Sequence, residues 1–271
     1  MSDIVLTAGV RSNLLNLQQT ASLMTTVQNQ LATGKKVNSA LDNPISYFTS
    51  QSLNNRANSL NSLLDSMSNA FQTIQAANNG ISAITKLVQS AQALVSQAQQ
   101  TSDTSVRSSL STQYNAVLTQ IDQLAGDAGF NGINLLGGDD LTVTLNESGT
   151  SSVTISGVDD TTAGDLSIGN ATNNWAASGD LTAASDDLTA ALTTLQSQAQ
   201  SFGTNLSTVQ IRQDFTKAMV NTLQTGSDNL TLADSNEAGA DLLALQTRQQ
   251  LSTTALSLAS QASQAVLRLF Q

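Results

Sequence analysis

The chain has 271 residues, with 20 acidic and 10 basic side chains, a net charge of −10, and neither cysteine nor histidine. This composition excludes disulfides, thiolate nucleophiles, sulfur metal ligands and imidazole chemistry near pH 7, so we expect no catalytic, cofactor-binding or metal-binding residues. The acidic balance also disfavours nucleic acid and anionic membrane surfaces as partners.

The start of the chain has no feature of a cleaved secretory signal. Residues 1–7 lack a basic region, a long apolar stretch and a small-residue cleavage pattern. No later stretch approaches the roughly 18 apolar residues of a membrane span. We therefore expect neither a conventional leader nor membrane insertion.

The first predicted helix carries an apolar stripe whose members are three or four residues apart, the spacing of one helix face. It stops before Gly34, because glycine suits the left-handed conformation that commonly follows a helix. The stripe predicts a face that packs against other helices. Its members are Leu6, Val10, Leu14, Leu17, Ala21, Met24, Val27 and Leu31.

A polar connector leads to Asn43, a suitable N-cap, and Pro44, a residue favoured in first helical turns. Apolar residues then keep a spacing of four and three as far as Gln100. This predicts a helix of roughly 55 residues, about 80 Å long, weakened only at Asn79-Gly80. Helical stretches at 106–124 and 188–209, the latter continuing towards Gly226, complete a predicted antiparallel bundle.

Residues 126–187 differ in composition from the helical stretches and are rich in glycine, aspartate, threonine and asparagine. Within them, 141–145 and 152–156 alternate apolar and polar side chains, as half-buried strands do, and 147–150 suit a hairpin turn. We predict a small β-rich insert in a mainly α chain.

The last helix carries two adjacent apolar seams with the same spacing of four and three. A helix with two seams needs partners on more than one side, which predicts a chain that assembles with other copies. Gln249, Ser252 and Ser263 within the first seam either fix its register or face a wet channel, and the spacing alone does not decide between the two. The first seam is Ala238, Leu242, Leu245, Gln249, Ser252, Leu256, Ala259, Ser263, Val266 and Phe270, and the second is Leu251, Ala255, Leu258, Ala262, Ala265 and Leu269.

Three motifs resemble those of bacterial flagellins. Residues 30–44 read QLATGKKVNSALDNP, like the end of the first flagellin helix and the connector that follows it. Residues 130–136 read FNGINLL, like the turn before the flagellin hairpin, and 259–270 read ASQASQAVLRLF, like the flagellin ending. The similarity covers about 1–136 and 186–271, and it indicates a short flagellin.

The resemblance implies a subunit that polymerises into the helical filament of the flagellum and supports swimming. It implies three parts: 1–43 with 234–271 as a terminal coiled coil, 44–130 with 186–233 as a helical bundle, and 131–185 as a surface insert. The implied self-assembly residues are Leu6, Val10, Leu14, Leu17, Met24 and Leu31 in the first helix and Leu245, Leu251, Leu256, Leu258, Val266, Leu267, Leu269 and Phe270 in the last.

The resemblance also implies partners and a location. The chain would be secreted unfolded by the flagellar type III export apparatus and would add at the distal, extracellular end of the filament. Its partners would be other copies of itself, the filament cap protein, the hook-filament junction proteins and a flagellin export chaperone. No cofactor is implied.

One stretch departs from the pattern of many flagellins. The segment read by the animal Toll-like flagellin receptor resembles RxRELAVQ, and its counterpart here is residues 89–96, QSAQALVS. Gln89, Ala91 and Gln92 stand where the two arginines and the glutamate would be, with Leu94 nearby. Because charge-assisted contacts are lost, we expect weak or no activation of that receptor.

Other interpretations remain. The glycines of 126–138 lack the Gly-Lys-Ser/Thr of a phosphate-binding loop, and Asp139-Asp140 and Asp159-Asp160 lack EF-hand spacing, so we interpret both as turn residues. The chain could be the hook-filament junction protein, which shares the terminal helices. A hydrolase that uses only aspartate and glutamate is the alternative from another class.

Overall fold

The computed structural model describes residues 8–269, which form five α-helices and two short β-strands. The helices are α1 (Ala8–Thr33), α2 (Pro44–Gln99), α3 (Thr104–Asp127), α4 (Ser178–Thr231) and α5 (Ser235–Leu269). The strands β1 (Leu141–Thr144) and β2 (Ser152–Ile155) pair antiparallel, with Leu141 opposite Ile155 and Val143 opposite Val153. The predicted mainly α fold with a hairpin insert is confirmed.

The residues that the sequence singled out as helix boundaries act as such. Gly34 has a φ of +69° directly after α1. Asn43 accepts a hydrogen bond from the Ser46 backbone N–H, and Pro44 begins α2. Helix α2 continues through Asn79-Gly80 without a break. Helix boundaries were predictable here because capping is decided by neighbours in sequence.

Helix α4 begins earlier than the amino-acid composition of this part of the chain indicated. It starts at Ser178, inside the stretch interpreted as β-rich insert. Leu181, Ala184 and Leu188 already follow helical spacing and are buried, so burial of this face stabilises a helix whose first turns are mostly polar.

The chain divides into two compact units. One comprises Met1–Asn55 with Thr222–Gln271, and the other Arg56–Asn221. Helices α2 and α4 contribute residues to both. The three-part division into 1–43 with 234–271, 44–130 with 186–233, and 131–185 remains a prediction.

The unit of residues 56–221 has one continuous apolar core. Side chains of α2, α3 and α4 share it with residues from the insert. The core reaches close packing at Gly80, where an added Cβ would lie 2.6 Å from Leu136 Cδ1 and 2.9 Å from Ala128 Cβ. Glycine therefore lets the chain after α3 lie directly against α2.

Residues 130–133, at the start of the FNGINLL motif, form the turn after which the chain lies against α2. Asn131 and Gly132 have φ values of +51° and +81°, as a tight two-residue hairpin turn requires. Asn134 then ends α3 by donating from Nδ2 to the carbonyl oxygens of Ala125 and Gly126, at 2.8 and 3.0 Å. These bonds satisfy carbonyl groups that the last helical turn leaves without partners.

The insert contains a fully buried tryptophan, Trp175. Asn173, Asn174 and Trp175 all have positive φ, so they form one left-handed turn. Such a turn is costly for non-glycine residues and persists only where packing compensates. Trp175 is fully buried, and its ring centroid lies 5.0 Å from that of Tyr114. This single tryptophan reports on the folding of its unit.

A carboxyl group is also buried in the insert. Asp160 is inaccessible to solvent, and among the described residues neither of its carboxyl oxygens has a well-formed hydrogen bond, although the Gln198 side chain is close enough to favour the charged form. Burial raises the pKa of Asp160 to about 6; the side chain of Gln198 acts in the opposite direction, and the charges of Asp165 and Asp159 add to the increase. A lone carboxylate is costly in such a site, so the group favours its protonated form.

Gly157 is a second point of close approach, and its replacement by alanine is expected to destabilise the unit of residues 56–221 by about 2–3 kcal/mol. An added Cβ would lie 2.3 Å from the Asp139 carbonyl oxygen and 2.7 Å from the Gly138 carbonyl carbon, so backbone must move. The measurement is urea unfolding followed by Trp175 fluorescence.

Gly126→Ala is the matched control for Gly157→Ala. Gly126 lies in α3 with no atom within 4 Å of an added Cβ, so alanine there should stabilise the unit slightly, by up to about 1 kcal/mol. Equal unfolding midpoints for Gly157→Ala and the unmodified chain would contradict the close approach.

In the unit of residues 1–55 and 222–271, hydrogen bonds join the connector after α1 to the junction between α4 and α5. Lys36 N–H donates to the Thr231 carbonyl at 2.7 Å, and Ala233 N–H donates to the Gly34 carbonyl at 3.0 Å. Asp234 caps α5 by accepting from the backbone N–H of Asn236 at 2.8 Å. The chain thus leaves α1 and enters α5 at one bonded junction, which sets the two helices side by side. Over residues 8–269, none of the helices is long and apolar enough to cross a bilayer.

Candidate functional site

The surface that the sequence indicated is formed by α1 and α5, which pack along each other. Both helices carry few charges and follow the three-and-four spacing, so each buries an apolar stripe against the other. Val27 on α1 and Ala238 on α5 are buried. The pairing uses only part of the apolar surface that the two helices carry.

The two seams of α5 differ in exposure. Leu242, Leu245 and Leu256 of the first seam are half-buried. In the second seam, Leu251 is 66% and Leu258 61% exposed. One seam is thus partly covered within the chain, while the other faces solvent along the described length of α5.

The predicted self-assembly residues of α1 also differ in exposure. Leu14 is exposed, and the half-buried ones are Val10, Leu17, Met24 and Leu31. Leu6 and Phe270 lie outside the described residues. Val266, Leu267 and Leu269 lie in α5, but their side chains are outside the described set.

Three exposed leucines of this pair were missed by the sequence reasoning. Leu15 and Leu23 on α1 and Leu243 on α5 are more than half exposed. Each adjoins a residue of the assigned stripe: Leu14, Met24 and Leu242. Two neighbouring apolar residues cannot face the same partner helix, so such pairs were the available signal of a second apolar face.

Charge is distributed unevenly between the two units. The unit containing α1 and α5 has six acidic and five basic residues, whereas the unit of residues 56–221 has fourteen and five. Copies of the first unit can approach each other with little net repulsion, and copies of the second repel. The apolar surface therefore lies on the part of the chain best suited to close self-packing.

The segment compared with the receptor motif lies within α2. Gln89 is exposed, Gln92 and Leu94 are half-buried, and Ala91 is fully buried in the core. In this fold, position 91 cannot present a side chain to an outside partner. The departure from the motif is therefore available to a receptor at Gln89 and Gln92 but not at Ala91.

An open groove of about 450 Å³ lies between α2 and the hairpin. Glu147 is its one titratable lining residue, and it forms an ion pair with Arg56. A groove with a single, paired carboxylate lacks the acid and base that hydrolysis requires.

The sequence of this chain is similar to those of known proteins over its whole length. Residues 7–140 match the family described as the bacterial flagellin N-terminal helical region. Flagellin FljK of Caulobacter vibrioides is 32% identical over 280 residues, spanning 100% of this chain and 99% of that protein. A flagellin of Brucella melitensis is 27% identical, with all of both chains covered.

A crystal structure of Bacillus cereus flagellin shows 21% identity and a TM-score of 0.48 over 55% of this chain and 86% of that one. The full-length similarity to FljK carries the assignment. Together with the matched amino-terminal region, it shows that this chain belongs to the bacterial flagellins.

Proposed function

We propose that this chain is the structural subunit of a bacterial flagellar filament and polymerises through the exposed apolar surface of α1 and α5. The similarity to flagellins over the full length of the chain carries this proposal. The exposed leucines supply its physical basis, because the hydrophobic effect favours their burial against other copies.

The energetics of assembly follow from the leucines that remain exposed on the pair. Burial of one exposed leucine side chain contributes about 1.5–2 kcal/mol. Several such side chains offset the entropy lost when a subunit joins a polymer. We propose Leu14, Leu251 and Leu258 as central contacts, with the half-buried candidate residues and Leu6, Val266, Leu267, Leu269 and Phe270 completing the surface.

The proposed placement in the filament follows the charge distribution. The nearly neutral unit with α1 and α5 would lie inside, and the insert, with its many aspartates, would face solvent. This fits the three-part division into a terminal coiled coil of 1–43 with 234–271, a bundle of 44–130 with 186–233, and a surface insert of 131–185.

We further propose that the chain is secreted and acts outside the cell, without catalytic activity. Its partners in export and assembly would be the type III export apparatus, an export chaperone, the cap protein and the junction proteins. The absence of cysteine supports an unfolded export route, because no disulfide can form before the chain leaves the cell.

Electron microscopy of the purified chain tests this function. We expect long filaments, and loss of swimming when the gene is deleted. Short or absent polymer from the purified chain would support the junction protein instead. That alternative is not favoured, since the relatives that match over the full length are flagellins.

The purified monomer is expected to activate the animal Toll-like flagellin receptor weakly or not at all. Gln89 and Gln92 offer amides where the motif offers charged groups, so the charge-assisted hydrogen bonds are lost. A receptor-reporter assay against a flagellin that carries the motif measures this. A matched variant, Gln89→Arg with Gln92→Glu, should raise the response, and a strong response to the unmodified chain would contradict the expectation.

A further inference from the structure

The groove between α2 and the hairpin runs along the free edge of β1. All of Leu141–Thr144 in β1 line it, and none of Ser152–Ile155 in β2 does. Within residues 8–269 the sheet consists of these two strands, so β1 pairs along one edge only. The opposite wall of the groove is one face of α2, which contributes Leu63, Ser66, Asn69, Ala70 and Thr73. An open strand edge therefore faces a helix across the groove.

The hydrogen bonds of the hairpin show which groups this edge offers. Leu145 N–H donates to the Ser151 carbonyl oxygen at 2.8 Å. Hydrogen-bonded and non-hydrogen-bonded pairs alternate along an antiparallel ladder, so Val143 bonds to β2, whereas the N–H and C=O groups of Thr142 and Thr144 point away from it. No described residue bonds to those four groups. The edge presents two donors and two acceptors to the groove.

This edge lacks the usual protection against pairing. Proteins commonly block a free strand edge with charged side chains, proline or a bulge. In β1 the side chains turned away from the core are those of Thr142 and Thr144, which are uncharged, and the register with β2 is regular. The edge can therefore be extended by the main chain of one more strand.

The groove has room for a short strand. Neighbouring strands lie about 4.8 Å apart, each residue advances about 3.3 Å, and packed layers are about 10 Å apart, so its 450 Å³ hold about three residues. A strand in this position would bond to Thr142 and Thr144 and would contact Leu63, Ser66 and Asn69 of α2. The helix would thus cover one side of the added strand.

Charge identifies the kind of strand. The unit of residues 56–221, which contains every lining residue, has fourteen acidic and five basic side chains. Asp139 and Asp140 immediately precede β1, and Asp65 adjoins Ser66 on the helix wall. A second copy of this unit carries the same excess of negative charge and is repelled, whereas a basic segment is attracted.

We propose that the free edge of β1 binds an extended, basic peptide segment of another protein, which adds as a third strand to the hairpin sheet. Main-chain hydrogen bonds to Thr142 and Thr144 hold the segment, and the carboxylates beside the groove select its basic side chains. The interaction is distinct from polymerisation, because the groove residues lie outside the unit of α1 and α5.

A proline substitution removes one main-chain donor from the edge. Thr142→Pro deletes an N–H that points away from β2, so the ladder of the hairpin keeps its bonds. Thr154→Pro is the matched control. Thr154 lies opposite Thr142, and either substitution removes the contact between their hydroxyl oxygens at 3.3 Å, but the N–H of Thr154 points to the other edge of the sheet.

The probe is a fluorescein-labelled peptide of seven residues that alternates valine and lysine, and its binding is followed by fluorescence anisotropy at low ionic strength. Thr142→Pro should weaken its affinity at least about tenfold, and Thr154→Pro less than about twofold. Urea unfolding followed by Trp175 fluorescence checks that both variants fold.

Two further peptides separate main-chain pairing from charge attraction. The same sequence with every peptide nitrogen methylated keeps its charge and has no N–H donors, so it should bind at least about tenfold more weakly. A peptide that alternates valine and glutamate keeps the donors and reverses the charge. It should also bind at least about tenfold more weakly.

A pair of lysine substitutions repeats the test if a proline variant does not fold. Ser66 and Ser68 are both exposed on α2, and Ser66 lines the groove whereas Ser68 does not. Ser66→Lys places a long cationic side chain in the groove and should weaken the affinity for the valine-lysine peptide at least about tenfold. Ser68→Lys should weaken it less than about threefold, because only the general charge changes.

The inference is overturned if the valine-lysine peptide does not bind, if Thr142→Pro and Thr154→Pro bind it equally, or if either altered peptide binds as well as the original. It is also overturned if the chain instead forms dimers that Thr142→Pro abolishes, because the edge then pairs with a second copy. None of these results bears on filament formation, which the polymerisation experiments measure separately.

Discussion

Deletion of residues 234–271 is expected to abolish filament formation while the unit of residues 56–221 stays folded. The deletion removes both seams of α5 and leaves α1 without its packing partner. The core of the other unit uses none of these residues, because its members lie between Met67 and Val209. Seeded growth followed by sedimentation measures assembly, and Trp175 fluorescence with circular dichroism measures folding.

A narrower variant separates the exposed seam from the rest of α5. Leu251→Gln with Leu258→Gln should raise the critical concentration more than 100-fold, since each leucine contributes about 1.5–2 kcal/mol when covered. Ser257→Gln with Ser260→Gln, also on exposed positions of α5, is the matched control and should polymerise nearly as the unmodified chain does. Filaments from the truncated chain, or equal behaviour of the two double variants, would contradict the assignment of α5.

Replacement of Asp160 by asparagine is expected to stabilise the unit of residues 56–221 at pH 8 by roughly 2 kcal/mol. The pKa of this carboxyl is about 6 in the folded chain, against an ordinary value of 3.8. At pH 8 the folded protein therefore bears a buried charge that the unfolded chain exposes to water. Asparagine has nearly the same shape and no charge.

The pH dependence of stability has a definite sign. Well below pH 3.8 the carboxyl is protonated in both states and contributes no difference. Between about pH 4 and 6 the unfolded chain has released this proton while the folded chain still holds it, so the free energy of unfolding falls over this range and levels off above about pH 6. Urea unfolding of both proteins at pH 4, 6 and 8, followed by Trp175 fluorescence, measures this. Parallel pH profiles for the unmodified and Asp160→Asn chains would contradict it.

Features of the fold that depend on neighbours in sequence were predictable. Gly34 ends α1, Asn43 and Pro44 begin α2, and the alternation of residues 141–145 and 152–156 marks the hairpin. Each of these signals acts within a few residues. The two seams of α5 were predictable for the same reason, because helical spacing alone assigns residues to faces.

Features that depend on distant contacts were not predictable. The left-handed turn at Trp175 contradicts the local preference of its residues and exists because the tryptophan packs on Tyr114. Asp160 looks like a solvated turn carboxylate in sequence, yet the folded insert buries it. The burial of Ala91 likewise follows from the orientation of α2 in its unit, which a motif comparison does not contain.

The exposed apolar residues around the start of α2 show a further difference between sequence and structure. Leu41 sits in a polar stretch, and Ile45 and Phe48 fall outside the stripe that α2 buries. Periodicity identifies residues that share the main face of a helix, so it passes over a small group on another face. Exposure in the folded unit was needed to identify them.

The central claim is that part of the apolar surface of α1 and α5, including Leu14, Leu251 and Leu258, stays uncovered until other copies pack against it. Amide hydrogen exchange over residues 8–33 and 235–269, compared between dilute monomer and filament, tests it most directly. Because the α1–α5 pair covers only part of its apolar surface in a single copy, it should open readily. We therefore expect faster exchange of both segments in the monomer than in the filament, with residues 56–221 protected in both. Equal, strong protection of the two segments in dilute monomer would contradict the claim.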